Sequence, residues 1–372
     1  MAITRIGNIA STIPDGSIAN EKLSNIVNFK NIIINGDMSI AQRGTSESGV
    51  GASDVYLIDR FQLDVNASPS ARFTMSQDTD VPSGQGFSKS LKLDCTTAQT
   101  SYSSNQLIAL TQKIEGQNVQ YLKYGTSSAQ SLTLSFWVKS NKTGTYTLEL
   151  DQDGNSKDYS QTYTISSANT WEKKTLTYVG DTASALANDN SNELDIYFWL
   201  GAASDFTSGT LNTSWNSTVN ANRVSPSQVN IADSTSNEWY VTGVQLEAGT
   251  TASEFEFLPV DVNKRRCQRY YQQIVQNSYF AGARANNTSA LWGIKLFTVT
   301  PLRAAPTIDA GTYQYYYGDA GNGAISSSVT ATSVVTDDTG VTSRADSGFT
   351  GLEDNEPVIP AANSTIGYDS EL

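Results

Sequence analysis

Apolar and polar residues alternate along most of this chain in short runs separated by turn residues. Ser131 to Val138 puts Leu132, Leu134, Phe136 and Val138 on one side, the period-two spacing of a half-buried strand. The same spacing gives Leu91, Leu93 and Cys95, then Tyr146, Leu148 and Leu150 after the turn Lys142-Thr143-Gly144. It returns in Tyr163 and Ile165, from Trp171 through Tyr178, and in Leu194, Ile196, Phe198 and Leu200, while Leu107 to Ile114 is more continuously apolar. Many short strands with turn signals between them predict a β-sandwich. Ile32, Ile33 and Ile34 read as its first strand, closed by the turn or bulge signal Asn35-Gly36-Asp37. Glu238 to Ala248 reads as its last. There Tyr240, Thr242, Val244 and Leu246 share one face, and Trp239, Val241, Gly243 and Gln245 share the other.

The period then changes. With Asp261 as N-cap, Cys267, Tyr270, Tyr271 and Ile274 fall at i, i+3, i+4 and i+7, which predicts a hinge helix over 259–275. Beyond it, Leu291 to Val299 and the TYQYYY run within 311–318 read as strands of a small C-terminal β-domain over 276–372. Residues 1–28 show no amphipathic period long enough for a core and read as an N-terminal arm. The segment from Ala202 to Asn237 is a long polar loop, of the kind that is functional or mobile.

Several of these segments also carry a family resemblance. GVQLEAG, then Phe255-Glu256, then CQRYY resembles the closing segment of phage tail fibre and tail-collar-type receptor-binding proteins. The run from Pro301 to Thr307 resembles the P-x-R-A-x-P-T segment that follows it, and PDGSIANEKLSN resembles a segment near the N-termini of phage tail proteins. NIIINGDMSIA, FWVKSNKTGTYTLEL, NTWEKKTLTY and DIYFWLGA resemble strands of carbohydrate-binding-module jelly rolls, and Gln42-Arg43-Gly44 and Asp59-Arg60-Phe61 follow the tail-protein version. The resemblance spans roughly residues 31 to 274. It implies an all-β chain: a jelly-roll β-sandwich over 29–258, the hinge helix, and a C-terminal β tip, with residues 1–28 docking to other phage tail proteins.

Composition narrows the function. The 372 residues suit two or three domains, at roughly 100–200 residues each. Only 16% are charged and 38% are hydrophobic, enough for a core, and abundant Thr, Tyr and Trp favour strands. The net charge is −13. No basic run has the density that phosphates require, so nucleic acid is not an expected partner. Lys264-Arg265-Arg266 with Arg269 reads as a solvated face or an interface pairing. No apolar stretch approaches the ~20 residues of a membrane span, and no signal peptide is expected in MAITRIGNIAST. The two cysteines, Cys95 and Cys267, read as buried thiols made in a reducing cytoplasm, with one bridge as the alternative.

There are no histidines. That removes the commonest general base and metal ligand, and every Ser-His or Cys-His nucleophile pair. An enzyme would have to work with carboxylates, and no motif singles out a pair among the 37 acids. No catalytic activity, metal or cofactor is expected. Asp151-Gln152-Asp153-Gly154-Asn155 has the 1, 3, 5 spacing of a calcium loop, but Ser156 stands where glycine belongs and Thr162 where the bidentate acid belongs, which favours an ordinary hairpin loop. Asp37 and Glu247 lie near the first and last strands, where the resemblance to carbohydrate-binding modules implies a structural calcium site as the alternative, and read as turn and cap acids.

Tyr313, Tyr315 and Tyr317 share one strand face. Flat apolar rings with hydroxyls suit a sugar face, and equally suit packing between copies of the chain. The expected function is that of a virion tail fibre protein adhering to a host surface glycan. The alternatives are a tail-associated hydrolase and a purely structural decoration protein. The fibre resemblance also implies a homotrimer. Large apolar residues are scattered after 275, so a separate tip is marginal alone, and the helix face of Tyr270, Tyr271 and Ile274 needs a cover. Light scattering on the purified chain should give the mass of a trimer at micromolar concentration, and a monodisperse monomer would refute that expectation.

Overall fold

A computed structural model describes residues 29–275 continuously and, beyond them, a set of strands, segments 301–304 and 306–310, and 365–372. The side chains of 274–300, 305 and 308–367 fall outside the described structure, as does the whole arm 1–28. Thirteen strands build the body. They are β1 (Ser46–Val50), β2 (Val55–Tyr56), β3 (Gln62–Asn66), β4 (Arg72–Asp78), β5 (Ser90–Thr97), β6 (Leu107–Glu115) and β7 (Leu132–Ser140). Then follow β8 (Gly144–Gln152), β9 (Lys157–Ile165), β10 (Glu172–Tyr178), β11 (Asn192–Ala202), β12 (Asn216–Ser217) and β13 (Glu238–Ala248).

They form two antiparallel sheets, ordered β1-β4-β5-β13-β7-β10 and β12-β9-β8-β11-β6-β3-β2. The predicted inward residues fill the space between. Leu134, Phe136, Val138, Leu148, Leu150, Ile196, Phe198 and Trp239 are all fully buried in one cluster. Phe136 meets Tyr163 and Phe198 edge-on, each at 5.1 Å between ring centres, the geometry that ring quadrupoles favour. The fold is the expected jelly-roll β-sandwich.

Two local expectations change. Residues Ile32 to Ile34 are buried but form no strand. The Ile32 N–H donates to Leu246 O, while the Ile34 N–H donates to the side chain of Gln112. Side-chain amides thus do the work of a ladder. Within β13 the alternation does not run unbroken. Register slips between Thr242 and Gln245, and Gly243 adopts φ +63°. A left-handed glycine bulge moves the strand on by one residue. Trp239 and Val241 therefore face the core before it, and Val244 and Leu246 face the core after it.

The helix is shorter than 259–275. It covers Val260–Gln268, α2 of the chain after the single turn α1 (Ser204–Thr207), and its N-cap is Pro259. Asp261 lies instead in the first turn, where an acid favours the helix dipole. Tyr271–Val275 is strand β14, paired with the strand Thr365–Asp369. Tyr, Ile and Val suit a strand, and the partner that decides the matter lies almost a hundred residues on. Among the described residues, nine strands follow β14, from Ala283 to Asp369. Thr365–Asp369, the last, forms a three-stranded sheet with Thr307–Ala310 and β14, and the others form a seven-stranded sheet.

The C-terminal residues return to the body. Glu371 pairs with Arg60, whose side chain is 1% exposed, and Arg43 reaches Asp369 at 2.8 Å. Arg60 lies 3.4 Å from the centre of the Tyr270 ring and Arg43 lies 3.7 Å from that of Tyr271. Arg269 holds Glu115 by two bonds of 2.8 Å. The CQRYY segment is thus the latch between helix, sandwich and C-terminal residues. Tyr270 and Tyr271 are buried within their own chain, so these two rings need no second copy to cover them. The side chain of Ile274 falls outside the described residues.

Removing one partner of a buried ion pair leaves an uncompensated charge, at about 3–5 kcal/mol. Arg60→Ala should lower stability by that order in urea denaturation. Replacing both Arg60 and Glu371 by apolar residues of similar size should recover most of it.

Candidate functional site

The outer face of the six-stranded sheet should be polar by the alternation rule. It is instead interleaved with aromatics. Trp137 on β7 lies outward, with Thr242 of β13 and Lys173 of β10 as its cross-strand partners. One step along, Lys139 pairs in register with Tyr240, and Tyr240 with Lys92 of β5. Trp171, just before β10, completes the row.

That second row is internally satisfied. Lys139 pairs with Asp80 and sits 4.0 Å from the centre of the Tyr240 ring. The Trp171 indole donates to Asp80 at 2.9 Å. Lys92 pairs with Glu238 at 3.0 Å, and the Tyr240 hydroxyl donates to Glu238 at 2.6 Å. Burial works against the charged form of Asp80, but hydrogen bonds from Lys139 and Trp171 outweigh it and hold its carboxyl below the usual range. Burial likewise acts to lower Lys92, but its bonds to Glu238 and Tyr240 hold it above the ordinary value.

The first row opens into a cavity of about 210 Å³, lined by Trp137, Phe87, Phe255, Phe257, Ser135 and Gln85, with Lys173 and Glu254 at its edge. Two segments build its wall. The β4–β5 loop brings Phe87, and the segment after β13 brings Phe255 and Phe257. The three rings meet edge-on or tilted, with centres 4.9–5.1 Å apart, and Phe257 is 50% exposed. Gly243 makes room for them. A Cβ there would lie 2.5 Å from the Phe87 ring.

The VQLE strand holds the second segment in place. The carboxylate of Glu247 accepts the Ser253 N–H at 2.8 Å and the Ser253 hydroxyl at 2.7 Å. The Gln245 side chain accepts the Glu256 N–H at 2.8 Å. Glu256 in turn accepts the N–H groups of Lys30 and Asn31. Gln245 and Glu247 therefore stand outside the core to position Phe255 and Phe257. Chemically the cleft offers flat apolar faces, one amide, one hydroxyl, one ammonium and one carboxylate, which suits a polyhydroxylated ring.

Sequence reasoning did not find this cleft. The signal was there in Trp137, an aromatic on the polar phase of an otherwise regular strand. The face chosen from sequence, Tyr313, Tyr315 and Tyr317, lies on a strand whose side chains fall outside the described residues. Asp37 and Glu247 do not share a site. Asp37 accepts from Ser39 and Asn263, whereas Glu247 serves Ser253 and Gln245. Among the described residues no three acids or cysteines converge as metal ligands. Cys95 and Cys267 are both free and buried.

The outer face of the other sheet gathers carboxylates. Asp158, Asp151 and Asp195 stand opposite one another across β9, β8 and β11. Loop residues cover them: Arg223 bonds Glu149 at 2.7 Å, and Asn212 bonds Asp158 at 2.9 Å. Burial, then the charge of Glu149, pushes Asp151 up to about 8. Burial pushes Asp195 up to about 7, and burial with Glu149 pushes Asp158 up to about 6. For Asp151, the charges of Asp195 and Asp158 directly opposite add a smaller push in the same direction.

No protein-family model matches this chain, and no curated protein matches it in sequence. Solved structures do match in arrangement. One is the enzymatically active domain of tailspike protein 4 of bacteriophage CBA120, at 18% identity and a TM-score of 0.30, over 60% of this chain and 22% of that one. A CBM4 structure matches at 15% identity and a TM-score of 0.30, over 57% of this chain and 97% of its own. A family 11 carbohydrate-binding module from Clostridium thermocellum, in complex with a mixed-linked tetrasaccharide, matches at 10% identity and a TM-score of 0.28, over 56% of this chain and 98% of its own. At these values no residue carries across, and the cleft has to be read from its own chemistry.

The acidic row has a pH consequence. Groups whose folded pKa is raised bind protons on folding. The stability they contribute is complete below their unfolded values near ~4 and is lost as pH rises through about 6 to 8. Asp195→Asn, a mimic of the protonated acid, should raise the melting temperature most at pH 8, less at pH 5, and little at or below pH ~4. Melting curves across that range check the sign.

Proposed function

We propose that this chain is a phage tail fibre protein that binds a host surface glycan through the cleft of Trp137, Phe87, Phe255 and Phe257. The observation that carries the reading is an aromatic cleft built on a surface where alternation calls for polar residues, held open by the residues of the GVQLEAG and Phe255-Glu256 motifs. Those motifs resemble the closing segment of phage receptor-binding proteins. The ring cluster has no role in the core between the sheets, since Trp137 and Phe257 lie outside it. Residues 1–28 are the segment proposed to join the virion, and several chains on one particle would add weak sites into avidity.

The action proposed is adhesion without cleavage. The buried acids of the second sheet support this. Glu149 and Asp158 are already engaged by Arg223, Trp199 and Asn212, and the cavity on the loop that covers them, between Thr210 and Asn222, is lined by hydroxyls and amides without a carboxylate.

Trp137→Ala should remove a central contact, at about 2 kcal/mol or about 30-fold in affinity. The measurement is retention of the purified chain on host cells and on their extracted polysaccharide, with melting to show that the variant stays folded. Equal retention of wild type and variant would overturn the site. Release of reducing ends from the polysaccharide would overturn adhesion without cleavage.

A further inference from the structure

The proposed cleft has closed dimensions and a matched charge. On one side, along β7, the Lys139–Asp80 pair and the Trp171 and Tyr240 rings occupy the next row, and their polar groups already bond one another. On the other side the phenylalanine triad and the segment tied by Gln245 and Glu247 stand across the sheet. The space between is about 210 Å³, below the roughly 300–1,000 Å³ of pockets that bury a drug-sized ligand, so it takes a small unit and not several. Its edge carries one cation and one anion, Lys173 and Glu254, and neither side chain makes an ion pair among the described residues. The lysines of the next row, Lys92 and Lys139, are each neutralised by an acid of their own, and the Lys30 ammonium, which donates to the Ser253 hydroxyl and the Glu254 carbonyl, does not line the cleft. A net-charged ligand would gain from one edge group and lose to the other. Hydroxyl groups, which donate and accept, satisfy both.

We infer that the cleft reads a single sugar unit without net charge, at a chain end or a branch, rather than a run of polymer or an acidic glycan. This rests on the glycan-binding reading of the cleft. Affinity per site is then weak and independent of chain length, and binding strength at the cell comes from the number of copies engaged. Salt changes it little, because no net attraction of charges is there to screen.

The test is competition. The full chain is held on the host polysaccharide and displaced by fragments of that polysaccharide, from monosaccharide to tetrasaccharide, at low and high sodium chloride, with a uronate-bearing polysaccharide alongside. The expected result is displacement by the terminal monosaccharide within about threefold of the tetrasaccharide per mole, and little change with salt. Displacement that improves tenfold or more with fragment length would overturn the inference. So would preference for the uronate polymer that fades as salt rises. Trp137→Ala separates the two levels of the reading. If the variant loses binding in either of those cases, the cleft remains the site and only the ligand class is wrong. If wild type and Trp137→Ala behave alike, or neither binds the polysaccharide, the cleft reading itself fails, and the inference with it.

Discussion

The bulge at Gly243 is the constraint on which the rest of the body depends. β13 lies between β5 and β7 in the middle of its sheet, so its side chains must serve both the core and the outer surface. A strand of strict alternation could not bury Trp239, Val241, Val244 and Leu246 together. One left-handed residue lets it do so. The same residue has no side chain, and the Phe87 ring takes the space that a Cβ would fill. Where the ladder is interrupted, the N-terminal segment of the body closes on the strand: the Val244 N–H donates to Gly36 O, and the Asn31 amide donates to Val244 O at 3.0 Å. Core, cleft and chain entry are thus joined at one backbone irregularity.

The two outer faces treat charge in opposite ways. On the six-stranded sheet, the two lysines beside Tyr240 each have a partly exposed acid, Lys92 with Glu238 and Lys139 with Asp80. Such pairs contribute little to stability, about 0–1 kcal/mol each, but they fix the Tyr240 and Trp171 rings through hydrogen bonds and cation–π contacts. On the seven-stranded sheet, the acids outnumber their partners and are covered by the loop after β11. Their carboxyls move up the pH scale instead. The first face remains open to a ligand, and the second is filled by the protein's own chain.

The junction after the sandwich is a third arrangement of the same kinds of interaction. Two arginines, Arg43 and Arg60, each lie over a tyrosine of the CQRYY segment while pairing with an acid of the C-terminal residues. Each guanidinium therefore ties together three parts of the chain that are far apart in sequence. This accounts for the order of the motif. Cys267 packs into a small cluster with Ile34, Ile40 and Tyr270, Arg269 anchors to Glu115, and the two tyrosines receive the arginines.

Sequence alone determined the sandwich and the strands that alternate regularly, because inward residues such as Leu134, Phe136, Leu148 and Phe198 obey a local period that any two-layer β-fold must satisfy. It also marked GVQLEAG and CQRYY as segments of consequence, without saying what they do. Tertiary structure alone decided the rest. Ile32 to Ile34 gave up strand geometry because Gln112 and Leu246 supplied their partners, and Tyr271 to Val275 became a strand because Thr365 to Asp369 lay beside it. Periodicity cannot foresee either, since both depend on partners from about 80 to more than 200 residues along the chain. The cleft had a trace in sequence, Trp137 on the polar phase of β7. Its wall did not, because Phe87, Phe255 and Phe257 come from two separate segments that only a glycine bulge and the side chains of Gln245 and Glu247 bring against the same face.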